Sequence, residues 1–347
     1  MIVSIIIPCR NEEKYIRKTI DSIIGQDFNY EFEVIVVDGN SIDSTKEILY
    51  SYQKDIKNLI ILDNPKKIVP ISFNLGLNQS KGKYIIRVDA HSIIEKDFLK
   101  NCINVIDRKN ADCVGGATLH ISNGIVSDSI MICQTSKFGS GGVYFRRKNS
   151  KGRYVDTLAF GAYKRSVFQS IGGYDEELIR NQDDEFNFRL CQSGGDIWLD
   201  PTIKSSYFPR NSLMSFIKQY FQYGFYKIRV MQKRKGFSSW RHIVPICFVL
   251  IFIIATFLNF YNKITFPLLL IITVYFSLSI IASSKYLFTL RYNLISIVLL
   301  PLSYFLMHFS YGIGNLCGII YFINKWNDRE VKDNHFNAKR FSENATY

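Results

Sequence analysis

The chain has 347 residues, 47% of them apolar, enough to bury a sizeable core and to exclude a disordered or fibrous protein. Its formal charge of +13 sits almost wholly in the second part: residues 1–210 carry 28 Lys and Arg against 26 Asp and Glu, residues 211–347 carry 15 against 4. The same basic part holds the long apolar runs, so the charge points to a membrane surface rather than to nucleic acid.

The first apolar run, Ile2–Ile7, is short for a signal peptide and has no basic stretch before it; it reads as a buried strand. Strands are expected over Val3–Ile7, Glu33–Val37, Leu59–Leu62 and Tyr84–Val88, alternating with helices over Glu12–Ile24, Asp43–Tyr52 and Pro70–Gln79. Continuous Val/Ile runs suit strands covered on both faces, and the strand–helix–strand spacing implies parallel pairing with right-handed crossovers. The expected architecture is a doubly wound α/β domain. Ser41 or Asp43 is the expected cap of the second helix, and Pro70 suits the first turn of the third. A helix over Lys96–Arg108 then leads to a strand ending at Gly115-Gly116. A long polar, Gly-rich stretch runs from His120 to Arg153. The second half of the domain is expected from here on, with a mixed sheet edge and mobile loops, and Gly139–Gly142 is a loop candidate to order over a substrate.

Residues 243–262, 264–284 and 292–324 carry no charge. A crossing helix needs about 20 apolar residues, so the first two runs fit one span each. The third is longer and is interrupted by Pro301, Gly312, Gly314 and Gly318. It suits either a tilted helix with an interfacial part or a re-entrant pair. Seven Lys and Arg with no acid between Lys218 and Arg241 put that side in the cytoplasm, and five more beyond residue 324 favour the same side for the tail. The expected division is a cytosolic domain over 1–215, a basic amphipathic interfacial segment over 216–241, a membrane region over 242–324 and a polar basic tail over 325–347. The seven scattered cysteines have no zinc-ligand spacing and suit a reducing compartment.

Open α/β sheets bind ligands at the carboxyl ends of their strands. Three polar clusters fall there: Pro8-Cys9-Arg10-Asn11-Glu12, Asp38-Gly39-Asn40-Ser41 and Asp89-Ala90-His91. Neither GxGxxG nor GxxxxGK[ST] follows the first strand, so neither dinucleotide nor P-loop binding is indicated. Asp89 and His91 bring a carboxylate and an imidazole to one strand end, a set suited to Mg²⁺ or Mn²⁺ bridging phosphate oxygens. Taken alone, the pair also fits, less well, a capping turn before Glu95. Gln182-Asp183-Asp184-Glu185 offers adjacent acids that would poise a general base if buried together. Alone, it also fits a solvated helix start, with Glu185 and Arg189 spaced for an ion pair. The basic, aromatic stretch from Lys218 to Arg241 could hold anionic headgroups or the diphosphate of a lipid-linked acceptor, or serve topology alone. Trp198 and Trp240 are candidates for sugar stacking or for packing.

Together and in order, the segments PCRNEE, VVDGNSIDST, NLGLNQSKGKYIIRVDAH, FGAYKRSVF, GGYDEEL and NQDDEFNFRL resemble the family 2 glycosyltransferases of the GT-A fold. The likeness is to the membrane-attached subgroup similar to succinoglycan-type glucosyltransferases. It runs from residue 2 to about residue 230 and continues weakly into HFSYGIGNLCG. It implies a GT-A-type, mostly parallel, Rossmann-like sheet followed by C-terminal transmembrane helices. By the same resemblance Pro8, Arg10 and Glu12 would border the nucleoside, Asp38 would reach the base or ribose, and Asn74, Gly76 and Lys81 would line the nucleotide and diphosphate. Asp89 and His91 stand at the DxD metal motif, where His91 departs from the second Asp. Asp183 stands as the catalytic base of the ED motif, in which Gln182 replaces Glu, and Gly173, Tyr174, Asp175 and Gln182 would flank the acceptor. The implied activity is inverting, metal-dependent transfer from a nucleotide sugar, a UDP-sugar foremost. The acceptor would be a polyprenyl-linked or glycan hydroxyl at the cytoplasmic membrane face. Two alternatives stay open: a polyprenyl-phosphate sugar synthase, and a non-catalytic membrane scaffold with a degenerate nucleotide fold. A processive polymer synthase is disfavoured, since Q-x-x-R-W is absent.

Overall fold

The computed structural model describes residues 1–122, 124–146, 151–236, 242–286 and 294–345. In chain order the first elements are Val3–Cys9 (β1), Ile16–Ile24 (α1), Phe32–Asp38 (β2), Thr45–Asp55 (α2), Leu59–Asp63 (β3) and Val69–Gln79 (α3). Next come Tyr84–Arg87 (β4), Ser92–Ile94 (β5), Phe98–Lys109 (α4), Cys113–His120 (β6), Ile125–Thr135 (α5) and Lys137–Ser140 (α6). Arg153–Tyr154 (β7), Ala162–Lys164 (β8), Arg165–Ile171 (α7), Gln182–Gln192 (α8) and Ile197–Tyr207 (β9) follow. The last are Leu213–Arg234 (α9), Val244–Asn262 (α10), Phe266–Ser284 (α11), Leu294–Tyr321 (α12) and Ala338–Glu343 (α13). Contacts divide the described residues into two compact units. One holds 1–119, 151–207 and 330–345; the other holds 120–146 and 208–329.

The first unit is an α/β domain of GT-A type. Among the described residues its strands form one sheet in the order β3-β2-β1-β4-β8-β6-β9-β5, with β7 on β9. β1 pairs in parallel with β2 and β4, and β2 with β3, whereas β8 runs antiparallel between β4 and β6. The Val/Ile runs of β1 and β2 are buried on both faces, as their patterning predicts, and join α1 and α4 in one core around Ile5, Ile7, Val34, Val36, Ile20 and Phe98. Helix starts depart from expectation. α1 begins at Ile16 rather than Glu12, because the amides of Glu12 and Glu13 are held by Thr45 Oγ1 and Asp43 Oδ2. α2 begins at Thr45 after Ser44. Asp43 accepts from Thr45, and Ser41 turns back to Asp38 instead of capping the helix. Pro70 stands in the first turn of α3 as expected.

The second unit contains three helices long and apolar enough to cross a membrane: α10, α11 and residues 295–321 of α12. Gly312, Gly314 and Gly318, expected as interruptions, lie within one continuous α12. A side chain at Gly314 or Gly318 would run into the backbone carbonyls of Phe221 or Phe225, and one at Gly224 into that of Tyr311. The glycines therefore let α12 and α9 pack backbone to backbone, the use that small residues have in membrane helices. Of the basic residues in α9, Lys227, Arg229 and Lys233 are buried, and Arg229 pairs with Asp328 at 3.0 Å. The end of that basic segment, with Trp240, lies outside the described residues.

Within the polar, Gly-rich stretch, Ile125–Thr135 and Lys137–Ser140 form α5 and α6 in this unit. Gly139 is not part of an open loop. A side chain there would run into the Cys133 carbonyl, so this glycine serves a close approach to the α5 backbone, with the Met307 side chain of α12 beside it. At the start of the stretch, burial and the neighbouring Arg146 hold the His120 imidazole down to about 3. The unfolded chain binds this proton near the ordinary value of about 6.5. The unfolded state therefore gains protons first, and stability falls as pH drops from about 6.5 towards 3, by about 1.4 kcal/mol per pH unit. In detergent, the thermal midpoint of His120→Gln is expected to depend less on pH across this window than that of the wild type.

Candidate active site

Strand order switches at β1: β2 and β3 lie on one side of it, β4 and β8 on the other. In open α/β sheets the crevice at such a switch, beyond the carboxyl ends of the strands, is where ligands bind. The three clusters expected from sequence meet there. Asn11 and Asn40, in the turns after β1 and β2, adopt left-handed backbone angles of φ 54° and 57°, which Asn tolerates better than most residues. The two turns lock together, for the Asn11 amide donates to Ser41 Oγ at 2.9 Å and Asn11 Oδ1 accepts from the Ile42 amide at 2.9 Å. Asp38 is fully buried and accepts from Ser41, with Lys46 Nζ at 3.6 Å. Pro8 lies on β1 in register with Val37, and Arg10 is exposed at the rim.

β4 brings the third cluster. Residues two apart on a strand share a face, and Arg87, not singled out from sequence, lies two before Asp89. Its Nη2 is 2.7 Å from Asp89 Oδ1 and its Nη1 is 3.4 Å from Asp183 Oδ2. Burial opposes a charge on Arg87, but Asp89, Tyr174 and Asp183 outweigh it and hold the guanidinium above its ordinary range. Burial likewise pushes the Asp89 carboxyl up, yet Arg87 and His91 outweigh it and leave the group below the usual carboxylate value. His91 Nδ1 sits 2.8 Å from Glu12 Oε1. Glu12, expected beside the nucleoside, holds this imidazole.

Asp183 is the second residue of α8, which starts at Gln182 after Asn181, a residue with a left-handed φ of 62°. Its Oδ1 accepts from the Asp184 amide at 2.9 Å, and its side chain is 40% exposed. Asp183 and Glu185 face different partners. Glu185 points inward to Arg189 at 3.1 Å, as the four-residue spacing predicts, and Asp183 reaches Arg87. Gln182 is buried.

The loop before α8 is held from several sides. Asn74 accepts from the Tyr174 amide and donates to the Tyr174 carbonyl, both at 2.8 Å. The Tyr174 ring stacks on Phe73 with centroids 4.2 Å apart, and the Arg87 guanidinium lies 6.0 Å from the Tyr174 ring centroid. Asp175 is fully buried. Asn74 thus clamps the Gly173–Asp175 loop, where sequence suggested a nucleotide contact. Two expected residues lie off the site. Gly76 faces Ile6, where a side chain would come within 2.5 Å of Cγ2, so it serves helix–strand packing. The Lys81 amide donates to Glu33 Oε1 and Ser4 Oγ at the opposite, amino end of the sheet, and its side chain is exposed. Trp198 is anchored through Nε1 to Asp200 at 3.0 Å and covered by Lys109, a packing role.

Residues 4–172 match the family described as glycosyl transferase family 2. The dolichyl N-acetyl-alpha-D-glucosaminyl phosphate 3-beta-D-2,3-diacetamido-2,3-dideoxy-beta-D-glucuronosyltransferase of Methanococcus voltae is 31% identical over 329 residues, covering 92% of this chain and 97% of the relative. The succinoglycan biosynthesis protein ExoA of Rhizobium meliloti is 28% identical, over 70% of this chain and 74% of its own length. A mannosyltransferase from Pyrobaculum calidifontis, solved with GDP-Man and Mn²⁺, shares the fold with a TM-score of 0.57 at 15% identity, over 90% of this chain and 86% of that one. With its GT-A sheet, its strand-end carboxylates and a near-full-length relative at 31% identity, the chain belongs to glycosyl transferase family 2, enzymes that transfer sugars from nucleotide-sugar donors.

Proposed function

We propose that the protein is an inverting glycosyltransferase that moves a sugar from a nucleoside diphosphate sugar, UDP foremost, to a hydroxyl of a polyprenyl-linked or glycan acceptor at the cytoplasmic face of a membrane. The observation that carries this reading is the shared grip of Arg87 on Asp89 and Asp183, 2.7 and 3.4 Å away. Two carboxylates from distant segments stand at one cation, as a donor side and an acceptor side of one cleft must.

Asp89 and His91 suit a divalent cation. Because Nδ1 donates to the Glu12 carboxylate, the lone pair falls on Nε2, and such a carboxylate behind a histidine is the usual support of a metal ligand. Among the described residues no group of three or more Asp, Glu, His or Cys forms a full cage, so diphosphate oxygens and water would complete the shell. When bound, the ion supplies charge neutralisation to the leaving diphosphate. The chain's own groups do the rest. Asp183 takes the proton of the acceptor hydroxyl, and the oxygen attacks the anomeric carbon from the face opposite the diphosphate. The bond to the diphosphate breaks with its electron pair, while Arg87, 3.4 Å from Asp183 Oδ2, aims the carboxylate.

The lipid-linked acceptor and the membrane face are supported by the dolichyl-linked acceptor in the Methanococcus voltae relative's name and by the three long apolar helices. Residues 330–345 belong to the same compact unit as the N-terminal domain, so tail and domain share one side. An odd number of crossings forbids that. We therefore read α10 and α11 as the crossing pair, and α12, which meets Pro245, Phe248 and Phe252 of α10 and Tyr275 of α11, as packed against them without a third crossing. A cysteine at Lys263 is expected to react with an impermeant thiol reagent on intact spheroplasts, and one at Asn344 only after lysis. Labelling at Asn344 from outside would overturn two crossings.

The test of the activity combines dolichyl N-acetylglucosaminyl phosphate, Mn²⁺ or Mg²⁺, and α-linked UDP- and GDP-sugars, with the product linkage read by NMR. A β-linked product is expected; an α-linked product, or no transfer from any of these donors, would refute the proposal.

A further inference from the structure

The C-terminal tail, expected to be a polar extension, is built into the first unit. Phe341 is fully buried beneath the Arg165 guanidinium, 3.8 Å from its ring centroid, and Arg165 donates to the Phe341 carbonyl at 3.0 Å. This anchors the segment before it onto the Gly173–Glu176 loop. Asp333 Oδ2 accepts from the Gly173 amide at 2.9 Å, and the Lys332 carbonyl accepts from the Glu176 amide at 2.7 Å. The Glu176 carboxylate meets the His335 amide at 2.9 Å and His335 Nδ1 at 2.8 Å. The opposite side of the same loop leads to the chemistry. Tyr174 lies against Arg87, which holds Asp183, and the Gly173 carbonyl accepts at 2.7 Å from Arg189 of α8, the helix whose first turn carries Asp183.

We propose that Asp333 and His335 are positioning residues for transfer: the tail fixes the loop, the loop fixes Tyr174 and the start of α8, and these aim Arg87 and Asp183 at the acceptor. A chain returning from the membrane unit thereby completes the acceptor side of the cleft. This rests on the catalytic reading above, and the test separates the two.

Full-length protein in nanodiscs is compared with Asp333→Ala, His335→Ala, Asp333→Asn and Arg340→Ala. The Asn variant keeps an oxygen for the Gly173 amide. Arg340 contacts Gln79 on α3, away from the loop. The readouts are hydrogen exchange of residues 172–178, UDP affinity with Mn²⁺, the thermal midpoint, and kcat and acceptor KM. Both Ala variants are expected to speed exchange in the loop and to lower kcat about tenfold, with UDP affinity held within about twofold. Asp333→Asn and Arg340→Ala should stay near wild type. Unchanged loop exchange and kcat in the Ala variants would overturn the proposal. So would a parallel fall of thermal midpoint, UDP affinity and kcat in Asp333→Ala and Asp333→Asn alike, which marks the tail as a structural anchor only. If the wild type transfers no sugar, the catalytic reading fails while the exchange arm still decides whether the tail orders the loop.

Discussion

Asp183→Asn is expected to lower kcat by about 10³, within the range that a positioned general base contributes, while leaving UDP affinity close to wild type. The amide keeps the shape of the carboxylate and an oxygen for the Asp184 amide, which donates to Asp183 Oδ1 at 2.9 Å. It cannot take a proton from an alcohol, and it gives up the charge that faces Arg87. The side chain is 40% exposed, so folding should be little affected, and the thermal midpoint is the control. The same variant separates the two enzymatic readings. A phosphate acceptor is already ionised and needs no base, so a polyprenyl-phosphate sugar synthase would retain near-full kcat in Asp183→Asn. Loss of transfer to a sugar hydroxyl with donor binding intact assigns the proton to Asp183.

Much of the fold follows from patterns that are local in sequence. The Val/Ile runs of β1, β2 and β4 specify buried parallel strands. The polar residues that end them converge because parallel strands present their carboxyl ends on one edge. That geometry made Asp38, Asp89 and His91 legible. Arg87 was overlooked although it carried a signal: a lone cation inside the apolar run Ile85–Val88, two residues before Asp89 and so on the same face. Non-local packing hid the rest. Asn74 and Tyr174 meet across 100 residues, and Arg165 and Phe341 across 176, separations that no periodicity reports. Phe336 and Phe341 are a hint in the tail, large apolar residues in a polar segment that come into ring contact at 5.3 Å. The glycines of α12 misled for a related reason. Glycine weakens an isolated helix, yet favours one whose partner backbone comes close, and only the fold supplies α9.

Arg87→Met is expected to be nearly as damaging as Asp183→Asn, with kcat/KM lower by about 10² to 10³. Methionine fills most of the volume but removes the cation between Asp89 and Asp183. Two carboxylates are then left facing one cleft, and each now resists the ionisation of the other. Asp183 also loses the contact that aims Oδ2, and Tyr174 loses the group it lies against. Arg87→Lys restores the charge without the planar fork that reaches both acids at once, so it should recover only part of the rate. If Arg87 merely closes the fold, the thermal midpoint should fall in step with the rate in Arg87→Met, and Lys should restore both together. A midpoint close to wild type, combined with a large loss of rate that Lys repairs only partly, identifies Arg87 as the group that couples the donor-side and acceptor-side carboxylates.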